Sequence, residues 1–160
     1  MITIWVPKRL VEIDLYNVAA RSPQALADLS ERSYAQRVDY AAQKIQLSGA
    51  KIVMLTGPSA SGKTTSAHCI AKALEKRGTP AHVISLDNFF KGAQYYPRLP
   101  DGTLDYENPD TLDMPLIRQC LSELSTTGKT VLPIYDFATE SRSSETETLD
   151  LEGGVCIVEG

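Results

Sequence analysis

The chain has 160 residues, enough for one compact domain and too few for two large ones. Hydrophobic residues make up 42% and charged residues 22%, an ordinary globular balance, and the net charge of −4 argues against a nucleic-acid partner, because counterion release needs a basic face. No apolar run approaches the roughly 20 residues that span a bilayer, and Met1–Leu15 has no signal-peptide core, so no membrane partner is expected. The cysteines, Cys69, Cys120 and Cys156, are far apart, odd in number and set in apolar surroundings. They read as small buried hydrophobes in a protein of the reducing cytoplasm.

Met1 to Tyr16 reads as one or two strands, with Ile2, Ile4 and Val6 alternating, then Val11, Ile13 and Leu15, around a turn at Pro7-Lys8-Arg9. Ser22-Pro23 opens a helix whose broken apolar stripe, Leu26, Leu29, Val38, Ala41, Ala42 and Ile45, runs to about Leu47 before Ser48-Gly49 ends it. This front part carries no chemical motif. From Lys51 the pattern changes: Ile52-Val53-Met54-Leu55 is a nearly continuous apolar run, as in a buried parallel strand. A glycine-containing loop follows, then a helix from about Gly62 to Arg77 with Ala67, Ile70, Ala71 and Leu74 on one face.

A second strand, Ala81 to Leu86, ends at Asp87, and Lys91 to Asn108, rich in Pro, Gly and Tyr, reads as a long loop. Helical signals return at Asn108-Pro109 and Asp113-Met114-Pro115, and Leu116, Ile117, Cys120, Leu121 and Leu124 line a face that Gly128 closes. Thr130 to Ile134, Thr146 to Leu151 and Val155 to Val158 read as strands. Strand, helix, strand, helix, strand points to an α/β fold, a parallel sheet with helices on both faces. Such a sheet normally continues past a strand like Val155–Val158, so the domain is expected to be cut short at its C-terminal side.

The spacing G-x-x-x-x-G-K-[ST] is matched by Gly57, Gly62, Lys63 and Thr64, within the loop Gly57-Pro58-Ser59-Ala60-Ser61-Gly62-Lys63-Thr64-Thr65. Inward-turned backbone N–H groups in such a loop cradle phosphate oxygens, and the helix behind presents its positive N-terminal end to the same anion. Lys63 adds a full charge near the transferred phosphate, and the Thr64 hydroxyl suits Mg²⁺. The match lies between an apolar strand and an amphipathic helix, the setting that supports the motif. In open parallel sheets the site lies beyond the carboxyl ends of the strands, where Asp87 and Glu159 fall. A carboxylate there can ligate a metal or take the proton of an attacking hydroxyl; alternatively, Asp87 is a cap for the next turn and Glu159 an exposed terminal residue.

The phosphate loop, Ser85-Leu86-Asp87-Asn88-Phe89-Phe90, Asp105 to Asp113, Pro133-Ile134-Tyr135-Asp136-Phe137 with Ser141-Arg142, and Ile157-Val158-Glu159-Gly160 together resemble the uridine kinase and phosphoribulokinase group of P-loop kinases. The blocks occur in family order over about Lys51 to Gly160. The front helix also resembles, more loosely, a bacterial variant with a region similar to the N-terminal part of threonyl-tRNA synthetase. The resemblance divides the chain into an N-terminal extension, residues 1–49, of short strands plus a long helix, and an incomplete P-loop kinase domain, residues 50–160. It implies ATP and Mg²⁺ as cofactors and phosphoryl transfer to a small acceptor such as the 5′-OH of uridine or cytidine, and it leaves an oligomer open. Asp87 matches the catalytic base, with Lys63 on the phosphates; Thr64 and Glu159 match residues around Mg²⁺. Glu107 stands where the group has an Asp that holds ribose hydroxyls, Tyr135 matches a residue near the base, and Arg142 follows in a loop facing the acceptor. For Tyr106, Tyr135 and Phe137, plain core packing is the competing reading. Phe90 stands where uridine kinases typically have Tyr, and Glu140 where they often have His; both put uridine specificity in question. The group's arginine-bearing lid is expected beyond Gly160. Other open readings are a kinase of another alcohol or sugar phosphate, or a nucleotide-binding module without turnover.

Overall fold

In the computed structural model, which describes residues 13–160, the apolar run after Lys51 is the strand β1 (Ile52–Leu55). The described chain falls into two compact units, Met1–Gly49 and Ala50–Gly160. The front unit holds α1 (Ile13–Ala19) and α2 (Pro23–Ser48). Proline at the first turn starts α2, and Gly49, at φ +65°, ends it with its N–H donating to the Gln46 carbonyl. Of the one or two strands expected in Met1 to Tyr16, the stretch up to residue 12 lies outside the described residues. Ile13 to Tyr16 is helical instead, and Ala20 N–H donates to the Tyr16 carbonyl at 2.8 Å. Three alternating apolar positions are too few to separate a strand from a helix start.

The second unit is built on a three-stranded parallel sheet ordered β1-β5-β2, with β2 at Ala81–Ser85 and β5 at Val155–Glu159. Every residue of β5 is buried, as expected for a strand with a neighbour on each side and a helix layer on each face. The pleat assigns the faces. Ile84, Cys156 and Val158 pack in one cluster with Ile117, Cys120 and Leu124 of α4 (Met114–Thr126). The opposite face meets α3 (Lys63–Lys76), which buries Ala67, Ala71 and Leu74 at helical spacing. Leu74 and Leu124 are fully buried, each worth roughly 1.5–3 kcal/mol of transfer free energy.

The third strand of the expected alternation is not in this sheet. β3 (Lys129–Asp136) pairs antiparallel with β4 (Ser141–Asp150) as a separate two-stranded hairpin, and its inner residues Leu132 and Leu149 join the α4 cluster. The reason is the connection: Phe137 to Glu140 is far too short for the crossover a parallel neighbour requires. The register slips between Pro133 and Tyr135, where proline has no N–H to give the ladder. The sheet's third parallel strand is β5, inserted between β1 and β2. Gly154 lets β5 enter there, because a Cβ at that position would lie 2.1 Å from the Pro80 carbonyl oxygen.

α4 starts where its residues dictate. The Asp113 carboxylate accepts from Leu116 N–H at 3.1 Å, and Pro115 sits in the first turn. Among the described residues no helix is long and apolar enough to cross a membrane, and all three cysteines are free. Cys120 and Cys156 are buried, and burial pushes the Cys156 thiol up to about 12.

Candidate active site

The register of the sheet brings the sequence candidates to one edge. Leu55 of β1 and Ser85 of β2 both align with Glu159 of β5. The phosphate loop leaves β1 directly after Leu55, and Asp87 lies two residues beyond Ser85. Three segments that are far apart in the chain therefore end side by side.

The loop from Gly57 to Gly62, with Pro58, Ser59, Ala60 and Ser61 between, is exposed along its whole length, as are Thr64 and Thr65 in the first turn of α3. It is folded tightly on itself. Ser61 N–H donates to the Pro58 carbonyl at 3.3 Å, and the Lys63 ammonium reaches the same oxygen at 3.2 Å. A Cβ on Gly57 would meet the Ser61 hydroxyl oxygen at 3.1 Å and Lys63 Cγ at 3.6 Å, so a side chain there would press on the Ser61 and Lys63 side chains. Ala60 stands at φ +57° and Gly62 at φ +81°. The left-handed conformation costs a non-glycine residue about 1–2 kcal/mol, and such strain is typical of functional loops. The first amides of α3 lack intrahelical acceptors and carry the positive end of the helix dipole. The fit to a phosphate chain rests on this cradle of small residues and free amides.

Asp87 lies in a short 3-10 turn, Leu86–Phe89, and its N–H donates to the Ser85 hydroxyl at 3.3 Å. Its carboxyl is held above the ordinary carboxylate value, first by desolvation, then by the negative charge of Glu159; Lys63 pulls it back down. Asp87 is exposed by area, yet the field of its neighbours still reaches it. Glu159 is 4% exposed, which removes the alternative of an exposed terminal residue. The cap reading of Asp87 is not supported in its simple form, because at this turn the side-chain acceptor is Ser85. Lys63, Asp87 and Glu159 thus form one electrostatic unit. Two repelling carboxylates beside the Thr64 turn suit Mg²⁺, which takes one or two carboxylates, phosphate oxygens and several waters. Among the described residues no cluster of three or more acidic, His or Cys side chains forms an all-protein metal cage.

A second group lies on the hairpin and the long loop. Tyr135 is buried, and its hydroxyl is 3.2 Å from that of buried Tyr96. Phe90 packs against both rings, at centroid distances of 6.1 Å to Tyr96 and 5.5 Å to Tyr135. Tyr106 meets Tyr96 edge-on at 5.6 Å, and Phe137 meets Tyr135 at 5.1 Å. Tyr106 and Phe137 are more than half exposed, so core packing describes Tyr135 but not these two. Burial, the bond to Tyr135 and the charge of Glu140 all raise the Tyr96 phenol above its ordinary value. Glu140 takes the left-handed conformation at φ +47°, and its carbonyl accepts from Ala93 N–H at 3.0 Å. Glu107 is exposed in the turn beside Tyr106.

Arg142 points its guanidinium at the chain itself. It pairs with Asp113 at 3.1 Å and donates toward the carbonyls of Phe89 at 3.5 Å and Phe90 at 3.3 Å. Arg142 and Asp113, with Lys91, Tyr95 and Pro115, line an open depression of about 290 Å³. Sequence reasoning missed Tyr96, whose only signal was its place in a tyrosine-bearing loop, and the tie of Asp113 to Arg142, for which a pattern read along the chain carries no signal.

The sequence profile described as the Phosphoribulokinase / Uridine kinase family matches residues 52–160. The chain belongs to this family. The matched span contains the whole phosphate loop, Gly57 to Thr65, and reaches Glu159. A uridine kinase of Schizosaccharomyces pombe is 36% identical over 114 residues, covering 69% of this chain and 24% of that protein. A uridine kinase of Lactobacillus helveticus is 33% identical over 109 residues, covering 68% of this chain and 51% of that protein. The chain thus spans about half, or less, of the length of these relatives. Among solved structures, a kinase from Silicibacter sp. TM1040, described as a fructose transport system kinase, superposes with a TM-score of 0.65 at 25% identity, covering 77% of this chain and 62% of that one.

Proposed function

We propose that this family member transfers the terminal phosphoryl group of ATP to a hydroxyl of a small acceptor, in the first place the 5′-OH of a nucleoside such as uridine or cytidine. The observation that carries the reading is the shared strand-end register of Leu55, Ser85 and Glu159, which aligns the phosphate loop with Asp87 and the buried Glu159. The amides of Gly57 to Thr65 hold the phosphates, and Lys63 leaves Pro58 to neutralise charge that gathers on them in the transfer. Asp87 accepts the acceptor's proton; a carboxyl held above its ordinary value by burial and by the charge of Glu159 is a better base than an isolated one. Thr64 and Glu159 are the residues that would hold Mg²⁺, whose charge offsets that of the phosphates. Most of the acceleration comes from positioning and electrostatics rather than covalent chemistry.

The aromatic group supports a flat acceptor. Tyr106 and Phe137 offer exposed ring faces beside a buried hydroxyl pair, an arrangement suited to a ring with a polar edge. Glu107 supplies a carboxylate for vicinal hydroxyls. A sugar is the second reading, favoured by the likeness to the Silicibacter kinase and by Glu140, a pure hydrogen-bond acceptor, at the edge of the aromatic group. Three free thiols, two of them buried, fit a reducing cytoplasm. Coupled-assay ADP release with Mg²⁺ATP and a panel of nucleosides and sugars tests the reading: stimulation by nucleosides supports it, and stimulation by sugars alone transfers the assignment to the second.

A further inference from the structure

Tyr135 and Arg142 are register partners across the β3–β4 hairpin. Both hold Phe90: the Tyr135 ring packs edge-on against the Phe90 ring, and the Arg142 guanidinium donates to the Phe90 carbonyl at 3.3 Å. The far side of the same segment is fixed by backbone. Asp113 N–H donates to the Phe89 carbonyl at 2.9 Å, Lys91 N–H to the Thr111 carbonyl at 2.9 Å, and Phe90 bridges to Leu112. Phe90 N–H in turn donates to the Asp87 carbonyl at 3.3 Å. The other arm of Arg142 pairs with Asp113, whose second carboxylate oxygen caps α4.

We infer that Arg142 is a positioning residue that clamps Phe90, and through it Asp87, against the aromatic group, and does not itself bind the acceptor. The inference rests on the kinase reading above for its functional arm. A guanidinium has five donors in a fixed fork. Here the fork engages one carboxylate and two carbonyls, and Nε is buried against the protein without a partner. The fork thus turns its three contacts to the chain itself and not to the open depression that the side chain, 31% exposed, also lines. It instead makes the spacing between the base and the acceptor wall depend on the hairpin, and misplacement of about 1 Å at such a point costs up to about 100-fold in rate.

The test combines amide hydrogen exchange with steady-state kinetics on the wild type, Arg142→Gln, Arg142→Lys and Asp113→Asn. The expected result is faster exchange in Asp87–Lys91 for both Arg142 variants, with β1 and β5 still protected. With it goes a fall in kcat of about tenfold or more, while KM for MgATP stays within about twofold. Arg142→Lys keeps the charge opposite Asp113 but loses the fork, so it should rescue stability better than kcat. Asp113→Asn with Arg142→Gln should cost little more than either alone, because the pair acts as a unit. Unchanged exchange in Asp87–Lys91, or an effect confined to the acceptor KM, would overturn the clamp. If Arg142→Gln unfolds, Arg142→Lys decides the matter by the same local readout. A wild type that turns over no acceptor overturns the kinase reading, and the exchange data then decide the clamp alone.

Discussion

Replacing Tyr135 with phenylalanine takes away one half of a buried hydroxyl pair and leaves the other half stranded. The two oxygens are 3.2 Å apart, and both tyrosines are 8% exposed. A buried polar group that loses its partner costs about 1–3 kcal/mol, whereas removing both partners together is close to neutral. Tyr135→Phe and Tyr96→Phe should therefore each destabilise by about 1–3 kcal/mol, or roughly 2–12 °C in Tm, and the double variant by less than their sum, with a coupling of about 1 kcal/mol. Urea unfolding followed by far-ultraviolet circular dichroism gives all four free energies. The same substitution has a spectroscopic sign. The bond to Tyr135 helps hold the Tyr96 phenol above its ordinary value, so in Tyr135→Phe the Tyr96 titration moves down in pH. Strictly additive free energies, or a Tyr135→Phe variant as stable as the wild type, would refute the pairing of these hydroxyls.

Asp87→Asn should lower kcat by about 100- to 10,000-fold, the usual range for a general base, measured as acceptor-stimulated ADP release. It should also stabilise the fold as pH rises. The folded Asp87 binds its proton more tightly than the unfolded chain, so its contribution is complete below 3.8 and is lost as pH climbs through the raised folded value; the difference in Tm between variant and wild type should therefore grow in favour of Asn over that interval. Glu159→Gln removes one of the charges that raise Asp87, so the acid limb of the pH–rate profile should move to lower pH whatever happens to the plateau. Gly154→Ala places a Cβ 2.1 Å from a backbone oxygen, and a loss of about 3 kcal/mol or more in urea unfolding is expected because Pro80 cannot yield as a side-chain tip would.

Local physics was legible in the sequence. The run Ile52–Leu55, the glycine-bounded loop and the Ala67/Ala71/Leu74 stripe announce strand, loop and helix, because each depends on neighbours a few residues away. The start of α4 at Asp113 and Pro115 is of the same kind. Pairing was less legible. Nothing along the chain says that β5 inserts between β1 and β2, or that β3 turns back onto β4; only the short Phe137–Glu140 connection hints at the hairpin, and β4 is polar from Ser141 to Thr148, so no apolar alternation marks it. The site divides in the same way. The phosphate loop is a local motif, and the strand-end rule finds Asp87 and Glu159. The Phe90–Tyr96–Tyr135 group and the Arg142–Asp113 pair, 29 residues apart, come from tertiary structure.

Whether this family member phosphorylates nucleosides is decided by Mg²⁺-dependent ADP release from ATP by the full-length protein, with uridine, cytidine and a set of sugars as acceptors and Lys63→Ala beside Asp87→Asn as controls. The expected result is turnover that a nucleoside stimulates and that both substitutions abolish, with MgATP binding weakened by Lys63→Ala and kept by Asp87→Asn. MgATP binding without stimulation by any acceptor, or stimulated turnover that survives Asp87→Asn, would contradict the assignment.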